Sequence, residues 1–282
     1  MSAEKLEKKA DDLRNNGQGL KAIASYSEAK AAYEAADRAD KAAECQHMIG
    51  VSYKVENDIA KAILELNTAA DMYEKLGNKI RVGQVERDIG ICYAYNEDFD
   101  TALTWLEKSR QHLTSEAGPE LGITEAKIGL MHMHKNELPQ ADAWMARGLA
   151  TIRSTDAWFY EMTALLHIGT LDLKRDKDDE AATALWAGVG LIFANDAQDG
   201  QQRRLAQLYG LLAHSYLGLQ NYNQAKHLFA RAVDMLDLMA ANVAAVVYDD
   251  IAATGLLAAF EHRDKDFFHK YHTKVERILE NS

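Results

Sequence analysis

The chain of 282 residues has few of the residues that interrupt helices, since it contains only 2 prolines. Proline breaks helix interiors and is common in loops, so its scarcity predicts a chain that is almost entirely helical, with short turns. Cysteine is equally rare: Cys45 and Cys92 are the only two and lie far apart. This spacing excludes a disulfide framework and a zinc knuckle, and both thiols are expected to stay reduced.

Positive charge and long apolar runs are also scarce. The 32 Lys and Arg face 43 Asp and Glu, which gives a formal net charge of −11. An acidic chain without a Lys/Arg run argues against a nucleic-acid-binding protein, whose affinity comes largely from phosphate neutralisation. No apolar run reaches the roughly 18 residues of a membrane span. The charged N-terminal segment lacks the apolar core of a secretion signal, which predicts a cytoplasmic protein.

What the sequence contains instead is a repeat of about 40 residues. Each copy has a small anchor residue, often an aromatic residue three positions later, a polar turn, Ala at twelve, and then a bulky and a second small residue. Glycine inside a helix costs about 0.5–1 kcal/mol relative to alanine. A glycine anchor therefore predicts the close approach of a partner helix. The seven anchors are Ala10, Gly50, Gly90, Gly129, Gly169, Ala213 and Gly255.

Asn and Asp residues follow most of these anchors at a distance of about six residues, as in Asn57-Asp58 and Asn96-Glu97-Asp98. They are typical of helix C-caps and of the N-caps of a following helix. A second set of turns separates successive copies, with two of them near residues 115–119 and 240–242. The sequence thus predicts fourteen helices in seven hairpins, near residues 3–37, 40–77, 79–116, 119–154, 156–195, 199–240 and 242–280.

This pattern resembles the tetratricopeptide repeat (TPR) family, whose unit is two antiparallel helices with small residues where they cross. The period of about 40 rather than 34 residues and the missing closing proline indicate a long-helix variant. The resemblance implies an all-α fold: a right-handed α-solenoid of about seven antiparallel helix hairpins, forming one array over residues 1–282. Stretches such as YSEAKAAYEAADRADKAAE also resemble the SNAP-type vesicle-fusion adaptors.

Sequence motifs of catalysis and metal binding are missing from the chain. It contains no HExxH, GxSxG, glycine-rich phosphate loop or EF-hand pattern, so we predict no enzyme activity, no cofactor and no metal. His269, His272 and Glu276 share one face of the last helix and form a feasible divalent-metal arrangement. A solvated polar face is the preferred interpretation of these three residues.

The TPR resemblance assigns candidate partner-binding residues. In that family the first helix of each unit lines a concave groove, at positions six and three before the anchor and one and four after it. The transferred groove is acidic at its N-terminal end and apolar in its middle. The candidates are Glu7, Asp11, His47, Lys54, Arg87, Ile123, Leu130, Met133, Leu166, Leu173 and His214.

The resulting hypothesis is a non-catalytic scaffold or adaptor that binds a protein or peptide, namely an apolar helical segment with neutral or basic flanks. Alternatives remain open. The apolar groove positions could instead pack against adjacent hairpins or cover a surface between copies in a homo-oligomer. The chain could also be a SNAP-like membrane-fusion adaptor, although its acidic charge departs from that family, or a peptide-sensing regulatory TPR protein.

Overall fold

The computed structural model describes residues 1–113, 117–239, 241–251 and 253–280, and all the regular secondary structure in these ranges is helical. The described helices are α1 (Ala3–Asn15), α2 (Gly19–Ala35), α3 (Ala39–Val55), α4 (Ile59–Lys75), α5 (Lys79–Tyr95), α6 (Phe99–His112), α7 (Gly118–His134), α8 (Leu138–Arg153), α9 (Trp158–Lys174), α10 (Asp178–Ala194), α11 (Gln202–Gly218), α12 (Tyr222–Leu236), α13 (Ala241–Asp250), α14 (Ala253–Ala258) and α15 (Lys265–Glu280). The predicted all-α fold is confirmed.

The chain forms two compact units, Met1–Thr155 and Asp156–Ser282. Unit 1 contains the four hairpins α1–α8, and unit 2 contains α9–α15. Helices α1–α12 form six consecutive helix pairs along the chain. The predicted bounds of the repeat units stay a prediction. The continuity of the array from one unit to the next stays a prediction. Parts of the predicted turns at 115–119 and 240–242, namely residues 115, 116 and 240, lie outside the described residues.

The seventh hairpin departs from the prediction of two helices, because its first helix is divided into α13 and α14. The carbonyl of Ile251, just after α13, accepts a hydrogen bond from Nε2 of His214 at 2.8 Å. The Ile251 side chain packs so close to Gly210 that a Cβ there would lie 2.6 Å from Ile251 Cδ1. Tertiary contacts to α11 thus hold Ile251 in place at the point where the helix is divided.

The hairpin turns repeat one geometry. The second residue after the first helix is left-handed, with φ of 58° at Asn57 and at Glu97. The next residue caps the second helix: the Asp58 carboxylate accepts from the backbone N of Lys61 at 3.2 Å, and Asp98 accepts from Thr101 at 3.1 Å. The prediction that Asn and Asp serve as C-caps and N-caps is confirmed.

The glycine anchors lie where two helices of a hairpin meet. A Cβ at Gly50 would be 2.7 Å from Cγ of Leu66, and one at Gly129 would be 2.9 Å from the carbonyl oxygen of Ala141. Real Cβ atoms do not approach neighbours so closely, so these positions require glycine. Gly255 is different, because no atom of the described residues lies within 4 Å of a Cβ placed there. The prediction of a close approach is wrong at that anchor.

The two cysteines lie in the core of unit 1. Both side chains are fully buried and free. Burial raises the pKa of Cys45 to about 12 and that of Cys92 to about 11, so both thiols are protonated and act as small apolar core residues at neutral pH. Among the described residues, no helix is both long enough and apolar enough to span a membrane.

Candidate functional site

Charged side chains connect the first helices of unit 1. Lys41 on α3 lies 3.4 Å from Glu7 on α1 and 2.8 Å from Glu44 on its own helix. Glu7 also accepts a hydrogen bond of 2.6 Å from the hydroxyl of Tyr33 on α2. The carboxylate of Glu7, a predicted groove residue on α1, therefore contacts both α2 and α3.

The link between α3 and α5 is the most buried of these contacts. Asp88 on α5 accepts from Nε2 of His47 and from Nζ of Lys54, each at 2.8 Å. The side chains of Lys54 and Asp88 are 15% and 16% exposed. Burial by itself raises the pKa of the Asp88 carboxyl, but the nearby Lys54 charge and the bond from His47 reverse this and hold the pKa well below its usual range. Asp88 is therefore a carboxylate, and His47 donates to it.

A third link joins α5 to α7, where Arg87 contacts the Glu120 carboxylate at 2.5 Å. Successive first helices of unit 1 are thus connected by ion pairs. We call these connected residues the charged face. Its members are Glu7, Lys41, Glu44, His47, Lys54, Arg81, Arg87, Asp88 and Glu120.

Asp11, another candidate groove residue, is bonded within its own hairpin. Its carboxylate accepts from the hydroxyl of Tyr26 at 2.5 Å, and Nε of Arg14 donates to the same hydroxyl at 3.2 Å. Burial and the bond to Asp11 raise the pKa of Tyr26 above its ordinary value, so the phenol stays protonated. Asp11 is half-buried and fixes the position of α2 on α1.

The candidate apolar residues are covered to different degrees. Ile123 and Met133 on α7 are each 5% exposed, and Leu166 on α9 is 4% exposed. Leu130 and Leu173 are half-buried and pack against the cores of units 1 and 2, respectively. Ile123, Met133 and Leu166 therefore pack mainly against their own chain. This agrees with the alternative in which apolar groove positions pack against adjacent hairpins. A binding role for all five stays a prediction.

The half-buried apolar positions of unit 1 form a row. Val51, Ile91 and Leu130 each follow an anchor glycine by one residue, on α3, α5 and α7. Equivalent positions on successive first helices face the same side of stacked hairpins. We call these three residues the apolar row. It runs beside the charged face, since Lys54 lies one helical turn after Val51.

His214 occupies the corresponding position of the predicted groove in unit 2. Because its Nε2 donates to the Ile251 carbonyl, the neutral ring carries its proton on Nε2. Burial is the main reason that its pKa lies below the usual value. This histidine is neutral at pH 7 and has a structural role at the division between α13 and α14.

Sequence reasoning missed a set of polar residues four positions before the anchors. Gln46, Glu86 and Glu125 are buried on first helices, and each bonds to the second helix of its hairpin. Nε2 of Gln46 donates to Glu65 at 2.6 Å, and Glu86 accepts from His112 Nδ1 at 2.7 Å. The Glu125 carboxylate lies 2.7 Å from Arg147. The sequence did contain a signal for these contacts, because three consecutive copies have a polar residue at the same repeat position.

The last helix does not bring its candidate metal ligands together. Nδ1 of His272 lies 3.3 Å from the Glu276 carboxylate, and both side chains are about half exposed. Across the described part of the chain, no group of three or more His, Cys, Asp and Glu residues could hold a metal ion. The arrangement is an ion pair on one turn of an exposed helix.

The family model described as "Soluble NSF attachment protein, SNAP" matches residues 3–144, which lie within unit 1. A sequence comparison with curated proteins finds no match.

Solved structures share the fold at low sequence identity. BtubC (BKLC) from P. vanneervenii is 14% identical with a TM-score of 0.58, covering 83% of this chain and 91% of that one. Aspartyl phosphate phosphatase F from Bacillus subtilis is 18% identical with a TM-score of 0.69, covering 97% and 69%. The Rap conjugation gene regulator of plasmid pLS20, in complex with the Phr* peptide, is 16% identical with a TM-score of 0.60, covering 83% and 64%. These likenesses establish a TPR-like helical-repeat fold.

Proposed function

The chain belongs to the soluble NSF attachment protein (SNAP) family, and on that premise we propose that it is a non-catalytic adaptor that binds another protein through the first helices of unit 1. The observation that carries this proposal is the apolar row beside the charged face. Protein interfaces combine an apolar centre with a polar, charged rim. Val51, Ile91 and Leu130 provide such a centre, and Lys54 and Arg87 belong to the surrounding charges.

The ion pairs of the charged face support binding by fixing the surface before a partner arrives. Lys54 and Arg87 carry long side chains whose freedom is costly to lose on association. Asp88 and Glu120 already hold their charged ends at 2.8 and 2.5 Å. A partner therefore meets an ordered surface, and less conformational entropy is lost on binding.

The charges indicate the chemistry of the partner. Glu4 is exposed, and Glu7, Asp11 and Glu44 are half-buried at the N-terminal end of the same face. These carboxylates favour neutral or basic residues and disfavour an acidic tail. We infer that the partner presents an apolar, helical segment with neutral or basic flanks. The complex of the Rap regulator with the Phr* peptide supports a peptide-binding role, since a protein of the same fold binds a peptide.

Paired substitutions test the adaptor function. Ile91→Lys with Leu130→Lys places two charges in the apolar row, while the aliphatic part of lysine still covers the underlying core. The control Leu64→Lys adds a charge on α4 at a side chain that is 62% exposed. Affinity capture with mass spectrometry should lose the partner with the double variant and retain it with the control. Circular dichroism should show that both variants keep the wild-type helix content.

Retention of the same partners by the double variant would contradict the proposed binding face. Loss of partners by the Leu64 control as well would show that added charge, rather than the apolar row, is responsible.

A second candidate function is attachment of NSF, the protein named in the family's description, and the family match over residues 3–144 favours it. Purified NSF should co-elute with the wild-type chain in size-exclusion chromatography. Liposome flotation provides a separate measurement, because a purely protein-binding adaptor should stay at the bottom of the gradient. Flotation with the vesicles would favour a membrane-binding adaptor instead.

A further inference from the structure

A cleft of about 330 Å³ opens in unit 1 where the start of α3, the end of α4 and the start of α5 meet. It lies at one end of the charged face and is separate from the apolar row. Its lining residues are Asp40, Glu44, Tyr73, Leu76, Asn78 and Arg81.

One wall of the cleft contains a polar group with unused bonding capacity. Tyr73 is only 2% exposed, and its hydroxyl has no hydrogen-bond partner among the described residues. Nδ1 of His47, whose ring lies edge-on to Tyr73 at 6.4 Å between centroids, has no such partner either. Because Nε2 of His47 donates to Asp88, Nδ1 of the neutral ring is an acceptor. A buried polar atom without a partner is costly.

In the preceding repeat, the tyrosine equivalent to Tyr73 has a hydrogen-bond partner. Forty residues earlier, the hydroxyl of Tyr33 bonds to Glu7 at 2.6 Å, and the ammonium group of Lys41 lies 3.4 Å from the same carboxylate. In the next copy the corresponding residues are Tyr73, His47 and Arg81. Arg81 bonds to Gln84 and to Glu44 rather than to His47. Lys41 therefore supplies a cation beside Tyr33 and Glu7 in the earlier repeat, whereas Arg81 does not do so beside Tyr73 and His47.

The polar atoms of the cleft match a ligand that only donates hydrogen bonds. The carboxylates of Asp40 and Glu44 and the hydroxyl of Tyr73 can all accept. Glu44 pairs with Lys41 at 2.8 Å and with Arg81 at 3.4 Å, and Asp40 pairs with the exposed Arg38 at 3.2 Å. Each carboxylate has about four lone-pair sites, so it can accept a further hydrogen bond. Guanidinium and ammonium groups have donors and no acceptor.

An apolar group of the cleft fits the rest of such a side chain. Leu76, which lines the cleft, is 43% exposed and gives it an apolar edge. Arginine and lysine lay their aliphatic stems along apolar surface while the charged end reaches a polar group. The combination of acceptors and an apolar edge selects a long cationic side chain over a small inorganic cation.

We propose that this cleft binds the guanidinium or ammonium end of an Arg or Lys side chain. The side chain comes from the partner protein, so this assignment of its source rests on the proposed adaptor function. The cleft would then set the register of a basic flank of the partner, while the apolar row binds its apolar segment.

The experiment uses a short peptide in place of the unidentified partner. Ac-Gly-Arg-Gly-NH₂ is titrated into the full chain and followed by amide chemical shifts in NMR, beside the isosteric, uncharged citrulline peptide. The arginine peptide should shift residues 40–44 and 73–81, and the citrulline peptide should bind about tenfold more weakly because it lacks the charge. Spermidine, in a third titration, distinguishes a free polyamine site, since it should compete poorly if the cleft prefers a peptide side chain.

Two substitutions connect the binding to the cleft. Tyr73→Phe removes only the unpartnered hydroxyl and should weaken the arginine peptide about three- to tenfold. Glu44→Gln should weaken it about tenfold. The matched control is Tyr33→Phe, whose hydroxyl is already bonded to Glu7 in the preceding repeat, and it should leave binding unchanged.

Equal binding of the arginine and citrulline peptides, or unchanged binding by Tyr73→Phe, would overturn the proposal. Preferential binding of an Ac-Gly-Asp-Gly-NH₂ peptide would do so as well, because it would make Arg81 the recognition group. The titration needs no partner protein, so its outcome is independent of the capture experiment on Ile91 and Leu130. Failure of the cleft and failure of the adaptor function can therefore be told apart.

Discussion

Units 1 and 2 use the same helix-hairpin repeat but stabilise it in different ways. In unit 1 ion pairs connect successive first helices, with Asp88 between His47 and Lys54 as the most buried example. In unit 2 a cluster of aromatic rings forms part of a mainly aliphatic core, and the ring centroid of Phe229 lies within 6.1 Å of those of Phe260, Phe267 and Tyr271. Removal of apolar surface from water gives unit 2 non-directional stability, whereas charge pairs fix one arrangement of the helices in unit 1. The same pattern of repeat residues can therefore be stabilised by different kinds of contact between hairpins.

The largest effect is expected in the aromatic core of unit 2. Phe229→Ala should lower the free energy of unfolding by about 3–5 kcal/mol, because it removes a fully buried ring and leaves a cavity. Urea unfolding followed by circular dichroism measures this loss. Phe229→Leu is the matched control, since Leu66 and Leu106 occupy the same repeat position in unit 1, and it should cost clearly less. A loss below about 1 kcal/mol for the alanine variant would contradict an aromatic basis for unit 2.

The next effect concerns the charged face of unit 1. Asp88→Asn should cost about 3 kcal/mol at neutral pH, because it leaves the buried ammonium group of Lys54 without its counter-charge. Exposed Asp71 is the control, and Asp71→Asn should change stability by less than about 0.5 kcal/mol. Urea midpoints of the three chains provide the comparison.

The same contact has a defined pH dependence. The folded pKa of Asp88 lies below the ordinary value of 3.8, so its contribution is complete above that pH and is lost as pH falls toward the folded pKa. The stability difference between wild type and Asp88→Asn should therefore be smaller at pH 3 than at pH 7. A difference that stays constant down to pH 3 would show that the carboxylate charge is not the cause.

A smaller effect separates close from open helix contacts. Gly129→Ala in unit 1 should destabilise the chain by about 2 kcal/mol, because its Cβ would meet the carbonyl oxygen of Ala141 at 2.9 Å. Gly190→Ala lies on an exposed part of α10 in unit 2, where the described structure places no atom within 4 Å of the added Cβ, and it should stabilise the chain by about 0.5–1 kcal/mol. Thermal melts of the two variants should shift in opposite directions. A shift in the same direction would contradict the contact as the reason for glycine at 129.

The smallest difference lies within unit 1, between two equivalent tyrosines. Tyr33→Phe should cost about 1.5 kcal/mol, because it removes a hydrogen bond to the Glu7 carboxylate. Tyr73→Phe removes a hydroxyl that has no partner in the described structure, so its stability should change little or rise slightly. Equal losses in urea unfolding would show that the Tyr73 hydroxyl is bonded after all.

Local features of the fold were predictable from sequence. Asn57-Asp58 and Asn96-Glu97-Asp98 mark hairpin turns because a left-handed residue and an N-cap need only the residues around them. Gly50 and Gly129 marked helix crossings for a similar reason. At Gly255 the repeat pattern is degenerate, and α11 contacts Ile251 between α13 and α14. Periodicity within one hairpin contains no information about such contacts.

The candidate site was predictable only in part. Lys54 and Arg87 were identified as groove positions, but their partners Asp88 and Glu120 were not, because an ion pair depends on the relative rotation of two helices. Burial was unpredictable for the same reason: Ile123 occupies a groove position by register, yet the neighbouring helices cover it. Register places a residue on a face, while packing decides how much of it remains exposed.

The repeated hairpin turn has a consequence for how far the chain can be stabilised. Seven of the described non-glycine residues, five of them in hairpin turns, have φ between 48° and 61°. Among them are Glu97 and Gln220, which lack the tolerance of Asn for this conformation. Glycine has no Cβ to crowd the following carbonyl, so each replacement there relieves local strain of about 1 kcal/mol. These positions lie at loop tips away from the charged face and both cores. Glycine substitutions at these positions should therefore raise the thermal stability of the chain one turn at a time.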